Sequence, residues 1–75
     1  MKKNQYTVML CYKTKSEFLS IYNNFDDAYQ IFQHSKKSFK LYGENEVQIK
    51  LILIQTNDHD ADTKFVLLIN DTMYY

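Results

Sequence analysis

Apolar and polar residues alternate near the start of the chain with the period of a β-strand. Between Gln5 and Tyr12, the residues Tyr6, Val8, Leu10 and Tyr12 hold every second position, with Thr7, Met9 and Cys11 between them. Side chains two apart share one face of a strand, so the spacing predicts a first strand. Its second face is also fairly apolar, which places it inside a sheet rather than at an edge. Lys13-Thr14-Lys15-Ser16 breaks the pattern and Phe18 to Tyr22 resumes it. Two such runs around a polar break predict a hairpin, here with no glycine in its turn.

The period then changes. Asn23-Asn24 leads into Phe25-Asp26-Asp27-Ala28, and an Asn cap with acidic residues in the first turn satisfies free amides and complements the helix dipole. A helix is expected from here to about Lys37, with Phe25, Ala28, Tyr29, Phe32 and Ile31 toward one face and Gln30, Gln33, His34 and Lys37 toward the other. Ser38 to Tyr42 carries no clear pattern, and Gly43-Glu44-Asn45-Glu46 reads as a turn. Val47 to Thr56 is a long strand with Val47, Ile49, Leu51 and Leu53 on one face and Gln48, Lys50, Ile52 and Ile54 on the other. After the polar loop Asn57 to Asp62, Thr63 to Asn70 predicts a last strand, with Phe65, Leu67 and Ile69 opposite Lys64, Val66 and Leu68. Asp71 to Tyr75 is expected to be a short aromatic tail.

These elements give an α+β fold in the order ββαββ, a four-stranded, mostly antiparallel sheet with one helix packed on one face, in a single domain over residues 1–75. One helix covers one face only. Met9, Cys11, Ile52, Ile54 and part of the last strand are therefore expected on the bare face, and apolar patches of that kind mark partner surfaces. Dimerisation through the sheet is the simplest way to cover them. A chain of this length buries only about 60% of its unfolded surface, so its core is thin unless it self-associates.

Composition narrows the functional classes. The chain is 45% hydrophobic and 16% aromatic, enough for a packed core. Nine Lys balance nine acidic residues at a net charge of zero, which removes the broad attraction that non-specific nucleic-acid binders use. There is no Arg, so the bidentate fork that reads guanine or clamps phosphate is missing. Lys without Arg, with many Asn, Ile, Tyr and Phe, is also what an AT-rich genome produces. Cys11 is the sole cysteine, so no intrachain disulfide forms, and a reducing cytoplasm of a host cell is the expected setting. The apolar run after Lys2-Lys3 is too short for a signal-peptide core, and no segment reaches the length of a membrane span.

No residue set predicts an enzyme. Asp58, Asp60 and Asp62 alternate like the first ligands of a calcium loop, but Thr63 stands where that loop needs glycine and Ile69 where it needs a bidentate glutamate. An acidic hairpin tip outweighs a metal site, and no cofactor is expected. His34 and His59 have no serine or cysteine placed by sequence to act as a nucleophile, and Cys11 reads as a buried, inert thiol. One glycine cannot build a phosphate-binding loop. The seven tyrosines and five phenylalanines could stack with unpaired bases, as in single-strand readers. The lysines are not interleaved with them, so the aromatics fit better as core, with Phe25, Tyr29, Phe32 and Phe65 inside, and as a protein interface. The acidic clusters read as caps and turns, or as an acidic edge able to engage a basic groove.

The segment Tyr22-Asn23-Asn24-Phe25-Asp26-Asp27-Ala28, between a hairpin and a helix, resembles the corresponding part of many small ββαββ proteins of bacteriophages and mobile elements. That resemblance implies a non-catalytic inhibitor of host defence, of the anti-CRISPR and related anti-defence type, or an oligomer that sequesters a nucleotide. It carries over no functional residue. The expected binder contacts a host protein through the bare face, the acidic loops and surface tyrosines: Tyr6, Tyr12, Tyr22, Tyr42, Ile52, Ile54, Asp58, Asp60, Asp62, Tyr74 and Tyr75. A nucleotide-sequestering oligomer and a single-strand nucleic-acid regulator stand as alternatives.

Overall fold

A computed structural model describes residues 2–39, 43, 45–57 and 63–74. The order is β1 (Lys2–Cys11), β2 (Ser16–Tyr22), α1 (Phe25–Lys37), β3 (Glu46–Asn57) and β4 (Thr63–Tyr74), the expected ββαββ arrangement. The sheet runs β2-β1-β3-β4, with every neighbouring pair antiparallel. β1 is interior, as its two apolar faces predict. β4 runs on to Tyr74, so the residues expected as a tail complete a ladder in which Val47 faces Met73 and Glu46 faces Tyr74.

The helix starts where its cap chemistry puts it. Asn24 has extended backbone, and its side-chain oxygen accepts the Asp27 amide at 2.9 Å while its Nδ2 donates to the Asp27 carboxylate at 2.9 Å. That pair satisfies an amide which has no partner within the helix. At the far end the Ser38 amide donates to the His34 carbonyl at 3.0 Å, with His34, Lys36 and Lys37 in the last turn. Gly43 has φ of 83°, a left-handed conformation that side chains with a Cβ disfavour.

α1 lays Ala28, Phe32 and Ser35 against the sheet, where Val8, Leu10 and Tyr12 of the β1 segment and Val47, Ile49 and Leu51 of β3 complete the core. Tyr6, Leu19, Tyr22, Ile31, Phe39, Ile69 and Met73 pack around that centre. Phe25 and Tyr29 stay more than a third exposed, forming with Tyr6 and Phe32 an aromatic row at the helix start. Only Phe32 of the expected helix aromatics is fully inside.

A helix of 13 residues spans about 20 Å and a strand of 12 about 40 Å. The β3–β4 hairpin therefore projects well past its cover. Both outer strands also carry a bulge, and both lie at one level of the sheet. Leu19 and Ser20 together face Val8, and Leu68 is the extra residue opposite the Leu51–Ile52 step, next to the Val8–Leu51 pair. An added residue shifts the alternation by one, so Ile69 joins the covered face while Leu67 and Phe65 turn to the open one. The expected packing of Phe65 with Ile69 in the core is overturned for this reason, and Phe65 is exposed.

Candidate functional site

The open face is built from three cross-strand rows. Phe18 faces Met9, which faces Lys50 and then Asn70; Ile21 faces Thr7, which faces Ile52 and then Leu67; Gln5 faces Ile54, which faces Phe65. The apolar members form a band running from one edge of the sheet to the other. Polar rows bound it: Ser16, Gln48 and Thr72 flank Cys11 at one end, and Lys3, Thr56 and Thr63 lie at the other. An apolar centre with a polar rim is the anatomy of a protein interface.

The band is floored and walled by different residues. Thr7 and Ile52 in the middle row are buried, at 1% and 7% exposure, while Phe18 (64%), Ile21 (58%), Leu67 (52%) and Phe65 (66%) stand out at the margins. Ile52 thus lies on the predicted face without being offered to solvent, and Ile54 is half-buried beside it. The Thr7 hydroxyl donates to the Ser20 carbonyl at 3.1 Å, satisfying an acceptor in the β2 bulge. The extra residue in β2 brings Ile21 level with Thr7, so this hydrogen bond fixes part of the band.

Other expected site residues fall elsewhere. Tyr12 is a core residue at 8% exposure, with the Lys15 ammonium 5.8 Å from its ring centre. Tyr6 and Tyr22 pack against the core from the covered side. Tyr74 ends β4 and is exposed. Tyr42, Asp58, Asp60, Asp62 and Tyr75 lie outside the described residues, as does His59. Cys11 is half-buried on the open face instead of buried, beside a hollow of about 150 Å³ lined by Tyr12, Lys13, Glu46 and Gln48. Sequence reasoning missed Phe18, Ile21, Phe65 and Leu67 as surface residues, although the bare-face pattern of Met9 and Ile52 pointed to their strand neighbours.

A second concavity lies between β2 and the C-terminal turn of α1. It encloses about 260 Å³ and is lined by Leu10, Tyr12, Glu17, Leu19, His34, Ser35 and Ser38. Free carbonyls at a helix C-terminus carry partial negative charge, and the Glu17 carboxylate adds to it. This groove suits a donor or cation better than a phosphate. Lys15 already approaches Glu17 at 3.5 Å. Among the described residues no three His, Cys, Asp or Glu side chains converge as a metal site would require, and no helix is long and apolar enough to cross a membrane. No family model, curated protein or solved structure matches the chain.

Proposed function

We propose that this chain is a non-catalytic binding protein that docks a partner protein on the open face of its sheet. The supporting observation is the band in which Phe18, Ile21, Leu67 and Phe65 stand exposed around the buried Thr7 and Ile52. Leaving large apolar side chains in water along one continuous strip has a cost that burial against a partner removes. With the resemblance of the helix-entry segment to small phage and mobile-element proteins, the partner class is a host defence protein, inhibited by occlusion.

A nucleotide-sequestering role draws less support, because the larger groove sets a carboxylate and a helix C-terminus where phosphates would have to lie. Single-strand nucleic-acid binding draws less again. On the open face Lys50 lies in the Met9 row and Lys3 lies beyond the Phe65 row, so these cations do not line one track along the aromatic residues.

The test is a pull-down from host lysate with the native chain and with Phe18→Asp/Ile21→Lys. Both positions are exposed on β2, so the variant keeps its fold. The expected outcome is a defence protein captured by the native chain, inhibited by it in a purified assay, and lost with the variant. Equal capture by both forms, or a nucleotide released on denaturing the native protein, overturns the reading.

A further inference from the structure

The outer edge of β4 is a second apolar surface, which adjoins the open face at Phe65 and Leu67. Phe65, Val66, Leu67 and Leu68 are consecutive and all exposed: Phe65 and Leu67 lie on the open side, Val66 on the helix side, and Leu68 is the bulge residue between Leu67 and Ile69. An edge strand presents unpaired backbone groups, and natural edges are usually blunted by charge, proline or shortness. β4 has 12 residues, no proline, and no charge between Lys64 and Asp71.

We infer that β4 pairs antiparallel with β4 of a second copy of this chain, with Lys64 of each opposite Asp71 of the other. A twofold axis normal to the sheet keeps each face continuous across the junction, so partners must share a face. The bulge at Leu68 makes this register consistent. Lys64 faces Gln55 and Asp71 faces Ile49 on the helix side of β3, and the same register sets Val66 against Ile69 on that side. Phe65 meets Asn70 on the open side, and Leu67 meets Leu68 at the axis. Without the bulge, residues at odd separations would fall on opposite faces and Lys64 could not meet Asp71. The Asp71 carboxylate already accepts Lys36 at 2.9 Å, and its two oxygens can serve both ammonium groups. A second copy is the occupant because the edge is complementary to itself: one cation, one anion, and an uncharged apolar run between them. The pairing consumes the β4 edges and leaves the β2 edges outermost, so it closes at two chains.

This proposal is independent of the open-face reading, and Phe18→Asp/Ile21→Lys leaves the dimer intact. The decisive experiment uses two proteins in a Cys11→Ser background, one with Lys64→Cys and one with Asp71→Cys. Opposed positions in an antiparallel ladder lie within disulfide reach, whereas like positions seven residues apart are about 24 Å from each other. Under mild oxidation the mixture is expected to form a crosslinked dimer and each protein alone to remain uncrosslinked. Sedimentation equilibrium gives the second arm, in which Lys64→Asp, set opposite Asp71, weakens the dimer about tenfold. A native chain that sediments as a monomer, crosslinking of either variant alone as readily as the mixture, or mass growing beyond two chains overturns the inference.

Discussion

The two faces of this sheet are built from the same residue types and meet opposite fates. On the covered face Val8, Ile49 and Leu51 are fully buried beneath α1; on the open face Phe18, Phe65 and Leu67 are more than half exposed. On β3, Val47, Ile49, Leu51 and Leu53 lie on the covered side and Ile52 and Ile54 on the open side beside Gln48 and Lys50, so in the Leu51–Ile54 stretch hydrophobicity alone does not decide which side becomes the core. The position of the helix decides it. α1 follows β2 and crosses over β1 and β3, and the chain has no second helix among its described residues to cross the other side. Burial without a partner stabilises the monomer, and apolar surface left in water is available to something else.

The largest expected effect lies under the helix. Phe32→Ala removes a fully buried ring touching both layers, and losses at such positions run to about 3–5 kcal/mol. In a domain with so thin a core that approaches the whole stability. Urea denaturation should find the variant largely unfolded without denaturant. Ile49→Ala should follow closely, at about 2–5 kcal/mol. Phe18→Ala on the open face should move the same midpoint little, within about 0.5 kcal/mol. If it destabilises as much as Ile49→Ala, the open face is structural, and the comparison of faces fails.

The covered face was largely legible in the sequence. Val8, Leu10, Ile49 and Leu51 follow from period-two alternation, and Ala28 and Phe32 from helical spacing, because both signals are local. The cap at Asn24 was legible for the same reason. The open face was legible at its centre, where Met9, Cys11, Ile52 and Ile54 fall as expected, but not at its margins. Its margins depend on the bulges at Leu19–Ser20 and Leu68, which shift Ile21, Leu67 and Phe65 relative to their neighbours. Neither bulge has a glycine to announce it. Tyr12, expected at the surface, is instead core, since tyrosine suits core and interface alike and only the helix position separates the two; Tyr6 and Tyr22 are half-buried at the core margin.

Two intermediate effects separate the helix from the bulge. Asn24→Ala removes the cap accepting the Asp27 amide and should cost about 1 kcal/mol, read from the same denaturation curves. Thr7→Val keeps the shape of a buried side chain on the open face but leaves the Ser20 carbonyl without its hydroxyl donor. The expected loss is also about 1 kcal/mol. Amide exchange gives the sharper readout. Asn24→Ala should speed exchange at the start of α1, whereas Thr7→Val should speed it in β2 around Ser20 and Ile21. If Thr7→Val leaves exchange in β2 unchanged, that hydrogen bond does not hold the β2 margin of the band.

The smallest effect concerns an ion pair that ties the helix to β4. The Lys36 ammonium lies 2.9 Å from the Asp71 carboxylate and 5.7 Å from the centre of the Phe32 ring, so its stem covers the core while its head reaches the edge strand. Both side chains are about a third exposed, and water and salt screen such a pair to below about 1 kcal/mol. Lys36→Met keeps most of the stem and removes the charge, so it should lower stability by about 0.5 kcal/mol or less, a difference that shrinks as salt is added. Lys36→Ala removes the stem as well and should cost more, with the extra part independent of salt. Equal losses for both variants that vanish together in high salt would show that charge alone joins the helix to β4, and that the core beneath Lys36 is closed without it.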